Sequence, residues 1–89
     1  MMQIQYQKKF LKDLAAITSK SRETIENLVF KTFLEYENVE KSGKLEKLKG
    51  YNSYFKIRVG NYRIGLKIEN DILYFERVLH RKEIYKFFP

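Results

Sequence analysis

The chain opens on a short alternation and then changes period. Within residues 2–6, Ile4 and Tyr6 fall on one side, as in a brief strand. Over residues 7–17 the apolar positions Phe10, Leu11, Leu14, Ala15 and Ile17 form a helical stripe, with Lys8, Lys9, Lys12 and Asp13 outside it. Thr18, Ser19, Lys20 and Ser21 read as a turn. The Ser21 hydroxyl is placed to cap the next helix by accepting from an otherwise unpaired N–H. Glu23 and Glu26 suit the positive end of that helix, and Ile25, Leu28, Val29, Phe33 and Tyr36 give its apolar face. Two helices joined by so short a turn pack as an antiparallel hairpin.

Residues 38–50 are polar, with Ser42-Gly43 as a breaker, Leu45 and Leu48 as anchors onto the core, and Gly50 as the end. Three strands follow, over residues 54–59, 62–69 and 72–79. Gly60-Asn61 and Asn70-Asp71 connect them, as antiparallel hairpins require. Residues 81–88 are too short a stretch to assign. The order β-α-α-β-β-β predicts an α+β fold: an N-terminal strand and a two-helix hairpin packed on one face of an antiparallel sheet. Nothing in residues 1–89 marks a second domain. The two periods predict that Phe10, Leu14, Val29, Phe33, Ile57, Ile64, Leu66 and Phe75 are buried.

Charge narrows the classes of partner. The 89 residues include 18 Lys/Arg and 11 Asp/Glu, a net charge of +7, which favours an anionic partner. The surplus is spread along the chain, so only strand geometry can focus it. The absence of cysteine fits a reducing compartment and excludes the usual cysteine zinc sites, and a single histidine argues against a histidine-rich metal site. No metal or other cofactor is expected. No apolar run approaches the ~20 residues that span a bilayer, and the first residues lack the apolar block of a secretory signal. A cytoplasmic protein without membrane contact is the expectation.

Strand alternation sorts the basic residues. Tyr54, Lys56 and Arg58 point one way, and Phe55, Ile57 and Val59 point toward the helices. On the next strand Tyr62, Ile64, Leu66 and Ile68 are the apolar set, with Arg63, Gly65 and Lys67 opposite. Lys56, Arg58 and Arg63 therefore share the side of the sheet away from the helices. Gly65 leaves a gap there for a ligand backbone. A half-exposed strand carries charge at alternate positions anyway. The sign is what distinguishes this face: Lys56, Arg58, Arg63 and Lys67 are all positive, and only Glu69 offsets them on those strands. His80, at a strand end beside Arg81, is expected near the basic face. Phe87 and Phe88 read as core or partner-binding residues. Guanidinium and ammonium groups converging near a phenol suit a phosphodiester, which makes RNA the leading ligand.

The stretch Tyr54-Phe55-Lys56-Ile57-Arg58-Val59-Gly60-Asn61-Tyr62-Arg63, with His80-Arg81-Lys82-Glu83-Ile84-Tyr85, resembles the RelE-type toxins of the RelE/ParE toxin–antitoxin superfamily. The resemblance covers nearly the whole chain. It implies a metal-independent endoribonuclease that cuts messenger RNA in the ribosomal A site. Lys56 and Arg58 match the family's pair of basic residues on one strand, with arginine at a position often held by lysine. Arg63, Arg81 and Tyr85 match the remaining positions, although the spacing from Arg81 to Tyr85 is shorter than in some members. Implied partners are a cognate antitoxin, the 70S ribosome and its message, with operator DNA reached only through the antitoxin. The alternative within the superfamily is a ParE-like inhibitor of DNA gyrase without nuclease activity.

The residues are consistent with that chemistry. RNA supplies its own nucleophile, the 2′-hydroxyl, and the protein must orient it, take its proton and stabilise a crowded dianionic phosphorane. Arg63 and Arg81 suit the phosphate, since a guanidinium fork bonds two oxygens. Arg58 stays protonated and is no base. Lys56 serves as a base only where neighbouring charge favours its neutral form, and His80 is the alternative. Tyr85 suits either stacking on a base or holding the 2′-hydroxyl.

Overall fold

The computed structural model describes residues 3–35 and 43–89. Tyr36, expected on a helix face, and Ser42, expected in the breaker, lie outside these residues. A short strand, β1 (Gln3–Tyr6), leads into α1 (Lys8–Ala16). Next come α2 (Lys20–Asn27), a π-helical stretch (Leu28–Thr32) and α3 (Phe33–Glu35). The sheet strands are β2 (Glu46–Lys47), β3 (Tyr54–Val59), β4 (Tyr62–Glu69) and β5 (Ile72–His80), and α4 (Ile84–Phe87) closes the order. The sheet runs β1-β5-β4-β3-β2. The three long strands are antiparallel, as expected, while β1 lies parallel to β5 at one edge and β2 antiparallel to β3 at the other.

The helices cover one face. All eight residues expected to be buried are 3% exposed or less, and Ile25, Leu73 and Val78 complete the same core. Lys56 and Arg58 face away from it, so the strand register is the one that alternation predicts. The cap of α2 is Ser19, not Ser21: the Ser19 hydroxyl accepts from the Ser21 N–H at 3.3 Å. The helix starts at Lys20, so Ser21 already lies inside it and serves as the donor. Asn70 and Asp71 both take positive φ, 54° and 62°, which the tight β4–β5 turn demands.

The π-helical stretch has a packing reason. Ile25, Val29 and Phe33 recur every four residues and are all buried. Steps of four overshoot an α-turn of 3.6 residues, so such positions drift around a regular helix. A stretch of i→i+5 bonding widens the turn and returns them to one face. Phe33 N–H accordingly bonds the Leu28 carbonyl. The Tyr6 hydroxyl donates to the Val29 carbonyl at 2.7 Å, and burial pushes that phenol above its ordinary pKa, which keeps it a donor.

β5 carries a bulge. Leu66 faces Phe75 and Gly65 faces Arg77, which leaves Glu76 unpaired. The extra residue lets Phe75 and Val78, three apart, both enter the core. Beyond the end of β1 the β5 edge is closed by a side chain. One carboxylate oxygen of Asp13, on α1, accepts from Val78 N–H at 3.2 Å, and the pair of oxygens takes both Nε and Nη2 of Arg77 at 2.7 and 3.1 Å. Donation to the Asp13 carboxylate holds the Arg77 guanidinium above its ordinary value, against a smaller opposing effect of desolvation. Asp13→Ala leaves a largely buried guanidinium and a strand amide without acceptors. The expected loss is about 2–4 kcal/mol in urea unfolding. A loss below about 1 kcal/mol would mean that the pair counts only as an exposed one.

The face away from the helical hairpin is not bare. Leu48, Ile84 and Phe88 are buried there with Tyr54 and Leu79 in a second cluster, so the unassigned C-terminal stretch is a packed element. The expected gap over Gly65 is filled. A Cβ at Gly65 would lie 2.6–2.7 Å from Phe88 ring atoms, so Gly65 is where the chain's own C-terminal ring seats on the sheet.

Candidate active site

The basic cleft is assembled around the β3–β4 turn. Arg58 and Arg63 lie directly opposite each other on β3 and β4, and both project from the face away from the main core. Nη1 of Arg63 donates to the Gly60 and Tyr62 carbonyls, each at 2.9 Å, which fixes the guanidinium against the turn. The Arg81 amide donates to the Asn61 carbonyl at 2.8 Å. Two arginines far apart in sequence are thus pinned to one turn, whose Gly60 has a φ of +56° that other residues rarely adopt.

Lys56 forms the other wall. Its Nζ donates to the Tyr85 hydroxyl and sits 5.1 Å from that ring's centroid. Glu46, directly across from Lys56 on β2, approaches Nζ at 3.9 Å. Tyr85 itself is 59% exposed and belongs to α4. That helix is one turn long. Phe88 anchors it over Gly65, and the Phe88 amide donates to the Ile84 carbonyl at 2.8 Å.

Lys56, Arg58, Arg63, Arg81, Lys82, Tyr85 and Glu46 line one open concavity of about 420 Å³. It sets five cations against one carboxylate. Among the described residues none of Arg58, Arg63, Arg81 and Lys82 has an acidic partner. Positive charge held together without compensation is a site for an anion, and the fork geometry of three guanidiniums favours phosphate oxygens. Among the described residues no three His, Cys, Asp or Glu side chains come together as metal ligands would.

Of the residues singled out from the sequence, the structure brings together Lys56, Arg58, Arg63, Arg81 and Tyr85. His80 does not join them. It pairs across the strands with Tyr62, whose ring it meets edge-on at 5.8 Å, and so lies on the helix side of the sheet. Its Nδ1 accepts from the Lys82 amide at 3.2 Å. Neighbours on a strand point to opposite faces, and the bulge at Glu76 sets which face His80 takes. Lys67 also stands apart, paired with Glu69 at 3.6 Å and lying over the Tyr54 ring. Glu46 and Lys82 were missed. Glu46 belongs to a two-residue strand inside a polar segment, where no alternation is long enough to reveal a face. Lys82 adjoins Arg81 and was detectable only as part of a basic pair.

The Gly65–Phe88 contact positions Tyr85, three residues before Phe88. Gly65→Ala is expected to lift Phe88 from its seat at a stability cost of about 1–3 kcal/mol, the scale of overpacking by one methyl group. Loss of the nuclear Overhauser contact between Lys56 and the Tyr85 ring would report the shift. An unchanged contact would show that α4 is held independently of Phe88.

The sequence matches the family profile described as "ParE toxin of type II toxin-antitoxin system, parDE" over residues 4–85. It is 39% identical to Toxin RelE3 of Methanocaldococcus jannaschii over 88 residues, 99% of this chain and all of that one. The fold superposes on the RelB–RelE antitoxin–toxin complex from Methanococcus jannaschii with a TM-score of 0.78 and 39% identity, covering 96% of this chain and 99% of that one. It also matches the RelBE2 toxin–antitoxin complex of Mycobacterium tuberculosis, with a TM-score of 0.70 at 18% identity over 90% and 98% of the two chains, a likeness of fold alone. With nearly its whole length matched in sequence and in fold, the chain belongs to the RelE/ParE family and is a RelE-like toxin of the type II toxin–antitoxin class.

Proposed function

We propose that this toxin is a ribosome-dependent endoribonuclease that cuts messenger RNA in the A site. The observation that carries the reading is the convergence of Lys56, Arg58, Arg63, Arg81 and Tyr85 on one concavity with a single carboxylate. In the proposed reaction the ribosome holds a message nucleotide in this cleft. Its 2′-oxygen forms a bond to the adjacent phosphorus, and the bond from phosphorus to the departing 5′-oxygen breaks. The departing 5′-oxygen takes up a proton from solvent, so the products are a 2′,3′-cyclic phosphate and a 5′-hydroxyl.

Arg63 and Arg81 bind the phosphate and meet the charge that grows on its oxygens. Arg58, directly across from Arg63, adds a fixed positive charge to the same wall. Lys56 takes the 2′-proton, because its amine lines the cleft in contact with Tyr85, whereas His80 faces the other side of the sheet. Tyr85, in contact with Lys56, positions the nucleotide. The side chains supply the positive charge that a metal would otherwise provide.

The toxin acts in the cytoplasm, where ribosomes are, and among the described residues no helix is long and apolar enough to cross a membrane. Its regulator is a cognate antitoxin. The relatives solved as RelB–RelE complexes support that partner, and a flexible segment laid over the basic cleft would block ribosome entry. The test is induction of the chain in a translating extract, with message ends mapped by primer extension. Cleavage in frame with codons is expected only when ribosomes are present. Intact message together with accumulating cleaved gyrase–DNA complexes would instead assign the ParE-like activity.

A further inference from the structure

The Lys56–Tyr85 pair is the shared wall of two concavities. One is the arginine-lined cleft. The other, also about 420 Å³, lies on the far side of the pair and takes in Leu48, Lys49, Tyr51 and Phe88. Its chemistry differs. Leu48 and Phe88, 8% and 4% exposed, make an apolar floor, and two exposed tyrosines stand beside it, Tyr51 at 47% and Tyr85 at 59%. Tyr51 is held in place. Its ring packs edge-on against Tyr54 at 5.7 Å, and its amide bonds the Leu48 carbonyl at 3.2 Å across a turn in which Gly50 takes a φ of +87°. Lys49, in the same turn, has no acidic partner among the described residues.

We infer that this second concavity is a base-binding subsite for single-stranded RNA, taking the nucleotide next to the one in the arginine cleft. The inference rests on the proposed RNA reading and extends it to a second nucleotide. The arrangement has the parts that unpaired RNA needs. Rigid aromatic faces accept a base without regard to sequence, and cations beside them follow the backbone. Lys49 and Lys56 line the same concavity as the two rings, so a strand with one phosphate in the cleft would pass the shared wall with its next base over Leu48 and Phe88. A duplex keeps its bases stacked inside and cannot use the tyrosines. Tyr51 is therefore an affinity residue that selects single strands over duplex, and Lys49 a backbone contact.

The test is fluorescence anisotropy with the intact protein and a short labelled single-stranded RNA carrying 2′-fluoro groups, which cannot be cut. Tyr51→Ala is expected to weaken binding about 5- to 100-fold, the scale of one lost base–aromatic stack, while Tyr51→Phe keeps the affinity. When an abasic residue is moved along the RNA, one position should erase the effect of Tyr51→Ala. Lys49→Ala should weaken all sequences alike and reduce the salt dependence. If Arg63→Ala weakens binding and Tyr51→Ala does not, the subsite is wrong and the cleft stands. If neither variant changes the affinity, the RNA reading of the cleft fails with it. A Tyr51 effect that survives every abasic position, together with displacement of the RNA by an acidic peptide, would make this surface a protein-docking site and overturn the inference.

Discussion

Arg81→Ala is expected to lower single-turnover cleavage on programmed ribosomes by about 10²-fold or more, the scale of removing one preorganised donor from a developing oxyanion. The structure gives the reason. The Arg81 amide is tied to the Asn61 carbonyl, so its side chain leaves a fixed point at the same turn that anchors Arg63. Ribosome binding should weaken far less, because a net charge of +7 leaves many other contacts. The check is to measure cleavage and ribosome affinity on the same preparation. Equal losses in both would make Arg81 a docking residue and remove it from the chemistry.

The second large effect is expected at Lys56. Lys56→Met should reduce the single-turnover rate by about 10²- to 10⁴-fold, the span attributed to a positioned proton-transfer group. His80→Gln should leave the rate nearly unchanged, because the imidazole packs against Tyr62 on the opposite face of the sheet. The pH profile separates the two. A pH profile set by the imidazole is lost in His80→Gln, and one set by the lysine amine is kept there. A profile that disappears in His80→Gln would restore histidine as the base. Tyr85→Phe is expected to cost little and Tyr85→Ala heavily, since the proposed role of Tyr85 is to position the nucleotide through its ring. A heavy loss in Tyr85→Phe would show that the hydroxyl bonded to Lys56 takes part itself.

Most of the framework was legible in the sequence because it obeys simple periods. The 2.0 repeat on β3 and β4 separates Ile57 and Ile64 from Lys56, Arg58 and Arg63, and the structure keeps that separation. The 3.6 repeat of α1 places Phe10 and Leu14 in the core. What escaped depends on interruptions of period or on distant contacts. The bulge at Glu76 has no local signature, yet it decides the faces of Arg77, Val78 and His80. The π-helical stretch follows from three core positions spaced by four, a pattern that an α-helical reading accepts without comment. Gly65 signalled a close approach, but only the fold shows that the approaching group is Phe88 from the same chain. The grouping of Tyr85 with Lys56 rests on residue type and family resemblance, because no period in residues 81–88 places a ring beside a strand that far upstream. The structure supplies the contact through α4.

In the proposed mechanism the ribosome-bound message supplies the nucleophile and this cleft directs it. The most direct measurement places purified toxin on ribosomes programmed with a message whose A-site codon carries a single 2′-deoxy nucleotide at the mapped cut. The all-ribose message should be cut to a 2′,3′-cyclic phosphate and a 5′-hydroxyl, and the 2′-deoxy message should remain intact while binding the toxin equally well. Cutting of the 2′-deoxy message at the same bond, or fragments ending in a 5′-phosphate, would show that the 2′-hydroxyl is not the nucleophile.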